Sequence, residues 1–499
     1  MVKINIEKIT RALLVFLALE LLSFLSLAWP IVGQFSFLIL ITAALAITIY
    51  KLEYGLLVVL AELFIGSMGH LFKLDILGQS ISIRVALWLI IMGVFIINLV
   101  SQLIRDGKKS IYYQSLNRLR TNKFFLALAV IIILGIINGL ANHHTGRLIF
   151  LDFNSWLYFL LLGPALVIYS ETATQKIYNL VNLFIAGSLW LSLKTLFLLF
   201  IFTHNIEAAP EIYFWLRQTL VGEMTPTKSG WPRVFIQGQV FPLMAFFFSF
   251  WLSCGTDFFN KITIKYKIWS LILAATFFSA VLVSFSRSFW VGLIITLLGL
   301  LILIWRTKGF KYFLKSLTWI IISGLFSFGL IYLVVSFPYI HSNDNNLGSA
   351  FLERVSNSNE AALSSRWSLL PILSKEVLKE PILGQGFGAT VSYISSDPRI
   401  LQQDPKGRYT TYAFEWGYLD LALKLGLLGL LIYLSLLGKL IFDSLRRGWK
   451  LSDDYLFIPL AASLLFLALV HIFTPYLNHP LGIGWIVISS CLIWQSRVY

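Results

Sequence analysis

Residues 269–305 read WSLILAATFFSAVLVSFSRSFWVGLIITLLGLLILIW and contain a single charged residue, Arg287. The stretch is otherwise almost entirely apolar or small, and it is long enough for two crossings of a hydrocarbon core about 30 Å thick. A charge at the centre of a bilayer is costly, whereas an arginine near the interface can reach the headgroups. The stretch therefore predicts two transmembrane helices joined by a tight turn at FSRS (285–288), with Arg287 at the membrane surface.

Similar apolar runs recur along all 499 residues, of which 58% are hydrophobic. Only 13% of the residues are charged, about half of the roughly 25% typical of soluble domains. These features predict an all-α polytopic membrane protein with about 14 transmembrane helices (12–14) and one long loop. The predicted spans are 12–28, 35–50, 55–70, 83–104, 124–141, 155–170, 177–203, 237–253, 268–285, 288–305, 316–337, 412–438, 455–471 and 480–496.

The net charge of +15 is explained by basic residues beside cytoplasmic helix ends, so nucleic acid is not an expected partner. Cys254 and Cys491 suggest neither a disulfide framework nor a zinc site, and no metal site is expected. The N-terminal MVKINIEKITRALL lacks the cleavage signature of a secretory signal peptide. We interpret it as the start of the first span.

Basic loops define the expected orientation. With a cytoplasmic N-terminus, alternating spans place the lysine- and arginine-rich segment RDGKKSIYYQSLNRLRTNK (105–123) inside, and both termini are then cytoplasmic. The same alternation divides the chain into a helix bundle (1–337), an extracytoplasmic loop domain (338–411) and C-terminal helices (412–499). Within the loop, SRWSLLPILSKEVLKEP (365–381) has the pattern of an amphipathic helix and leads into the glycine-rich LGQGFG (383–388).

Several arginines fall on the predicted outer side, against the usual bias of basic residues toward the cytoplasm. Arginine keeps its charge and binds phosphate with two parallel hydrogen bonds, so a cluster of arginines would suit a pyrophosphate. Arginines in this location can also snorkel to the interface, bind phospholipid headgroups, or form ion pairs, here with Asp152 or Glu353. The four arginines are Arg147, Arg233, Arg287 and Arg366.

Four motifs around the long loop carry a family resemblance. They are GWPRVFIQGQVFPLMAF (230–246), SFSRSFWVGL (284–293), SRWSLLPILSKEVLKEPILGQGFG (365–388) and EWGYLDLALKLGLLGLL (415–431). In this order and spacing, from about 230 to 435, the chain resembles the O-antigen ligase and polymerase superfamily of bacterial membrane glycosyltransferases. The resemblance implies a GT-C-like helical fold in the bacterial cytoplasmic (inner) membrane, with an extracytoplasmic active site and no metal or nucleotide cofactor.

The resemblance also implies a reaction: a glycan moves in one block from an undecaprenyl-pyrophosphate carrier to the hydroxyl of a glycan, lipid or protein acceptor. Arg233, Arg287 and Arg366 would stabilise the leaving pyrophosphate, with Arg147 as a further ligand. Other membrane proteins of polysaccharide assembly are possible partners. A polymerase is slightly favoured over a ligase, and a transporter or flippase for a lipid-linked or anionic substrate is the alternative.

The chain departs from the family pattern at the start of the span after the loop. Glu415 stands where the family has histidine, Trp416 stands where it has asparagine, and GQVFP (238–242) replaces an Asn-Pro-Asn-like element. Glu415 would act as the catalytic base or bind the acceptor, although a carboxylate is also favoured at a helix start. Trp416 and Tyr418 would stack on the acceptor sugar. Either His341 or His479 could replace the missing histidine in space, and His479 is preferred because it lies in the short loop LNHP.

The charged residues within predicted spans include Glu62, Lys194 and Lys424. Such residues usually face a cavity or one another. The sequence does not identify their partners.

Overall fold

The computed structural model describes residues 5–76, 79–170, 174–227, 230–255, 264–338, 361–450 and 456–495. Helices make up most of these residues. They are α1 (Ile6–Ala28), α2 (Pro30–Tyr50), α3 (Leu52–Ile65), α4 (Ile83–Asp106), α5 (Ile111–Thr121), α6 (Lys123–Ala141), α7 (Gly146–Phe153), α8 (Leu162–Ile168), α9 (Thr174–Thr203), α10 (Ala209–Gln218), α11 (Val240–Cys254), α12 (Ile264–Val283), α13 (Arg287–Lys308), α14 (Phe310–Ser336), α15 (Ala361–Val377), α16 (Pro398–Gln403), α17 (Gly417–Lys450), α18 (Phe457–His471) and α19 (Pro480–Gln495).

The helices support a multi-pass membrane protein. Within the described ranges, nine helical segments are long and apolar enough to cross a membrane, and three further apolar helices are shorter. Each of the fourteen predicted spans also overlaps a helix. The all-α polytopic class is therefore confirmed, while the number of segments that cross the bilayer stays a prediction.

The expected helical hairpin is present. α12 ends at Val283 and α13 begins at Arg287, so a three-residue turn separates them. In this turn the Ser284 hydroxyl donates to the Val281 carbonyl at 2.6 Å and accepts the Ser286 N–H at 3.2 Å. These two bonds satisfy backbone groups that a helix end leaves unpaired, and they confirm the turn predicted at FSRS.

The core is built around α11, in which Phe241, Phe246, Phe247 and Phe250 are fully buried. This helix packs against α9, α12 and α18. In contrast, α1, α2 and α14 expose most of their apolar side chains. A helix that is apolar on all sides needs either protein or lipid around it, so these three helices are suited to contact lipid.

Among the described residues, three small two-stranded sheets were not predicted from the sequence. They pair β1 (Lys73–Ile76) with β2 (Gln79–Ser82), β3 (Gly222–Pro226) with β4 (Pro232–Ile236), and β5 (Val391–Ile394) with β6 (Arg408–Thr411), each antiparallel. Each strand has only four or five residues. That length is too short for an alternating pattern to stand out in an apolar chain.

The expected amphipathic helix of the long loop is α15, while residues 339–360 of that loop, with His341 and Glu353, lie outside the described residues. Leu369, Leu373 and Val377 form the buried stripe of α15. They share an apolar cluster with Ala422 and Leu423 of α17. The loop helix is therefore fastened to the first turns of α17.

α17 is broken at Gly426, where the backbone adopts φ 69° and ψ 178°. The segment 381–388, which we name the glycine turn, lies against the break and pairs with the backbone groups that the break exposes. The bonds are Leu427 N–H to Pro381 O (2.8 Å), Leu428 N–H to Ile382 O (3.2 Å), Gln385 N–H to Leu423 O (2.7 Å) and Gly386 N–H to Lys424 O (3.1 Å). Irregular backbone at membrane depth is tolerated where protein covers it in this way.

Candidate functional site

The arginine of β4 contacts the turn between α12 and α13. Arg233 Nε donates to the Ser284 carbonyl at 3.0 Å, and the guanidinium lies over the Phe235 ring at 5.2 Å. Ser284 is three residues before Arg287 in the chain. The structure thus brings Arg233 to the hairpin that carries Arg287.

The hairpin in turn contacts residues 472–479, the connection between α18 and α19. The hydroxyls of Ser288 and Thr474 are 3.3 Å apart. On the neighbouring residue, the Phe473 ring lies 5.6 Å from the Trp416 ring, centroid to centroid. This connection therefore links the Arg233–Arg287 region to the residues just before α17.

Arg366 and Glu415 form an ion pair between Arg366 Nε and Glu415 Oε2. Their side chains are 34% and 52% exposed, so solutes can reach the pair. A second bond joins α15 to the residues just before α17, a contact that we name the junction: Trp416 Nε1 donates to the Arg366 carbonyl at 2.9 Å. Two residues predicted for opposite roles, a phosphate ligand and a base, are thus direct partners.

Arg287 and Arg147 both lie at helix N-termini. Arg287 is the first residue of α13, and its cap residue Ser286 makes no side-chain cap hydrogen bond. The N-terminus of a helix carries partial positive charge and N–H donors, so an added arginine there favours an anion. Arg147 is the second residue of α7 and is exposed. Its neighbour His144 contacts the Phe387 carbonyl at 2.9 Å, on the glycine turn.

The residues predicted to bind the acceptor are engaged in packing. The Tyr418 hydroxyl donates to the Ala468 carbonyl at 2.7 Å, and its ring lies edge-on to His471 at 4.8 Å. His479 Nε2 lies 3.0 Å from Met68 Sδ, and burial lowers the pKa of His479 to about 3. The acceptor roles of Trp416, Tyr418 and His479 stay predictions.

A buried charge network below this junction escaped sequence reasoning. Lys424 Nζ lies 2.5 Å from Asp152 Oδ1 and 2.6 Å from Asp420 Oδ1, and all three side chains are 8% exposed or less. Asp152 Oδ2 also accepts the Gly388 N–H at 2.9 Å, while Asp420 Oδ2 accepts the Asn478 side-chain amide. The network ties α7, the glycine turn, α17 and the 472–479 connection together. The i,i+4 spacing of Asp420 and Lys424 was the available sequence signal.

The other charges within predicted spans are also paired. Arg84 holds Glu62 with two bonds, of 2.8 and 3.0 Å, and Lys194 Nζ lies 2.6 Å from Glu20 Oε1. The sequence left Asp152 open as an arginine partner. The structure pairs it with Lys424 instead, because α7 packs beside the glycine turn and α17.

Part of the chain, from α12 to α17, matches a known protein family. Residues 270–434 match the family model described as O-antigen ligase. None of the curated proteins compared with the chain matches it. The matched segment contains most of α12, the turn after it, α13, α15, the glycine turn and the first part of α17. It thus covers both members of the Arg366–Glu415 pair.

Proposed function

We propose that this chain, whose residues 270–434 match the O-antigen ligase family model, is a member of the O-antigen ligase and polymerase superfamily. We propose further that it transfers a glycan from an undecaprenyl-pyrophosphate carrier to an acceptor hydroxyl. The reaction takes place at the end of the bundle that carries the α12–α13 turn and the start of α17. In this proposal that end faces outward from the bacterial inner membrane, and both chain termini are cytoplasmic. The acceptor is a second carrier-linked repeat, as in a polymerase.

The Arg366–Glu415 ion pair is the observation that carries the proposal. A pyrophosphate is a stronger bidentate partner for a guanidinium than a single carboxylate, because it offers more charge and more acceptor oxygens. Donor binding would therefore draw Arg366 onto the pyrophosphate and release Glu415. The base would become available only when a donor is present, which limits unproductive reaction.

The transfer step follows from these positions. Glu415 takes the proton of the acceptor hydroxyl as the acceptor oxygen bonds to the anomeric carbon of the donor glycan. The bond between that carbon and the phosphate oxygen breaks, and its electron pair leaves with the carrier pyrophosphate. Charge thus grows on the leaving group, where fixed positive groups stabilise it.

Arg287 and Arg233 are suited to that stabilisation. Arg287 adds its charge to the N-terminal dipole of α13, and Arg233 is bound to the turn that precedes this helix. An anion at a helix N-terminus is favourable by itself, and an arginine at the same place strengthens it. Arg147 would act as a more distant ligand of the pyrophosphate, since the residues just before its helix contact the glycine turn through His144.

A transporter or flippase is the second candidate, because broken helices are common at transport sites and α17 is broken at Gly426. In this chain the break is filled by the glycine turn, whose four backbone bonds close it. A filled break supports a fixed scaffold more than a moving gate. We therefore place transfer ahead of transport.

Deletion of the gene followed by size analysis of the surface glycan tests the proposal. A polymerase predicts that single repeats remain while long chains disappear, whereas a ligase predicts unlinked polymer. Complementation with Arg287→Ala or Arg366→Ala should not restore long chains at normal protein levels. The matched control is Arg217→Ala, since Arg217 forms a 3.0 Å ion pair with Glu223 and has a similar exposure of 43%. Wild-type glycan in the deletion strain would contradict the proposed function.

A further inference from the structure

The junction between α15 and α17 contains a prominently exposed tryptophan. Trp367 is 55% exposed. Tryptophan buries a large apolar surface when it can, so such exposure beside a built polar site is informative. Its neighbour in sequence is Arg366, which pairs with Glu415. Trp367 therefore lies next to the chemistry proposed above.

The position of Trp367 is set by Trp416. The two rings lie 5.5 Å apart at an interplanar angle of 65°, a favourable edge-to-face arrangement. Trp416 is itself held by its bond to the Arg366 carbonyl and by the Phe473 ring. Packing thus surrounds Trp416 and braces Trp367 while leaving much of the Trp367 indole accessible.

The same helix explains why Trp367 is not drawn into the core. The buried stripe of α15 is formed by Leu369, Leu373 and Val377. Trp367 precedes Leu369 by two residues, which is about 200° around a helix with 3.6 residues per turn. The indole therefore projects from the side of α15 that does not join the apolar cluster.

We propose that Trp367 is the residue on which a sugar ring of the glycan stacks, an inference that rests on the proposed transfer function. The face of a pyranose carries several C–H groups and is apolar enough to pack on an indole. Polar groups beside an aromatic surface then orient the ring, as is general for small-molecule sites. Arg366, the residue before Trp367, and Glu415, the residue before Trp416, supply such groups. Trp416, by contrast, serves as the support under Trp367.

An exposed indole near a membrane surface can instead anchor in lipid headgroups. The two roles respond differently to substitution. A lipid anchor tolerates another large apolar side chain such as leucine, whereas sugar stacking needs a flat aromatic ring. Phenylalanine preserves the ring and removes only the indole N–H.

The test uses the full-length protein in nanodiscs, with lipid-linked glycan extracted from the deletion strain as substrate. We expect kcat/KM to fall by about fivefold to tenfold in Trp367→Ala and Trp367→Leu, because this is the size of effect expected from the loss of an aromatic contact. Trp367→Phe should stay within about threefold of wild type. Trp449→Ala is the control, because Trp449 is 60% exposed at the far end of α17.

The outcomes separate the inference from the function. If Trp367→Leu transfers glycan as well as Trp367→Phe, the contact is simply apolar and the stacking proposal is wrong. The proposal is also wrong if Trp367→Ala matches wild type while Arg366→Ala is inactive. If the wild-type protein transfers nothing in this assay, the proposed function itself fails.

Discussion

Replacing Lys424 by methionine should strongly destabilise the fold. Methionine keeps the length of the side chain but removes the ammonium that lies 2.5 Å from Asp152 and 2.6 Å from Asp420. Two carboxylates would then remain in a site where both side chains are 8% exposed or less. Removing one partner of a buried ion pair costs about 3–5 kcal/mol, because the remaining charge is left without compensation.

The magnitude can be judged against a control on the same helix. Lys439 pairs with Asp443 at 2.5 Å, but its side chain is 41% exposed. Water already solvates the Lys439 ammonium, whereas its partner Asp443 is 10% exposed. Lys439→Met should therefore lower the free energy of unfolding clearly less than Lys424→Met does. The comparison holds the residue type, the substitution and the helix constant while burial differs.

SDS titration of the purified protein in mixed micelles, followed by tryptophan fluorescence, measures the unfolding free energy of each variant. A triple variant, Lys424→Met with Asp152→Asn and Asp420→Asn, removes all three charges and should recover most of the loss. If Lys424→Met and Lys439→Met have equal effects, the buried network does not fasten α17 to α7 and the glycine turn.

Three further predictions concern the helix break, the second buried pair and pH. Gly426→Ala should cost at least about 2 kcal/mol of unfolding free energy or prevent folding, because the residue has φ 69° and an added Cβ would collide with the Ile382 carbonyl. The control Gly438→Ala has open space around it and should be neutral or stabilising by up to about 1 kcal/mol. Equal effects of the two substitutions would argue against the helix break. Arg84→Met should cost about 3–5 kcal/mol in the same assay, since it leaves the buried Glu62 unpaired, and a loss under about 1 kcal/mol would contradict the pairing. Burial lowers the folded-state pKa of His479 to about 3. As the pH falls below about 6.5, the His479 imidazole is therefore protonated in the unfolded state before it is protonated in the folded state. Stability should therefore decline between about pH 6.5 and pH 3, by up to about 1.4 kcal/mol per unit, and His479→Gln should flatten that decline in unfolding curves; an unchanged slope would show that His479 is not held neutral.

The helices were predictable from sequence because each apolar run is long enough to be recognised alone. The tight turn before Arg287 followed from the same reasoning, since one run was long enough for two helices. The loop helix was predictable from its amphipathic pattern. These features depend only on residues that are close together in the chain.

What the sequence did not reveal depends on distant residues. Lys424 and Asp152 are 272 positions apart, and only the tertiary fold brings the two side chains together. The motif around Gly426 suggested a family resemblance, but not that the glycine turn would fill a broken helix. The pairing of Arg366 with Glu415 was likewise missed, because the family pattern gives the position of Glu415 the role of a base or acceptor ligand and not of an ion-pair partner.

The aromatic residues show the same limit. Trp416 and Tyr418 were expected to stack on sugar because they lie in the right motif. In the fold, Tyr418 is directed toward α18 and Trp416 is enclosed by Trp367 and Phe473. The motif drew attention to Trp416 and Tyr418, whereas the structure shows that the neighbouring Trp367 is the more exposed ring, at 55%.

The proposed function depends most on the role of Glu415 in transfer, and a reconstituted reaction tests that role most directly. Purified wild-type protein and Glu415→Gln are compared in nanodiscs with extracted lipid-linked glycan, and transferred product is measured by mass spectrometry. Glutamine keeps the shape of the side chain but cannot take the acceptor proton. We expect product from the wild type and at least about a hundredfold less from Glu415→Gln, because a general base usually contributes at least that much to the rate. Equal product from the two proteins would contradict this role of Glu415.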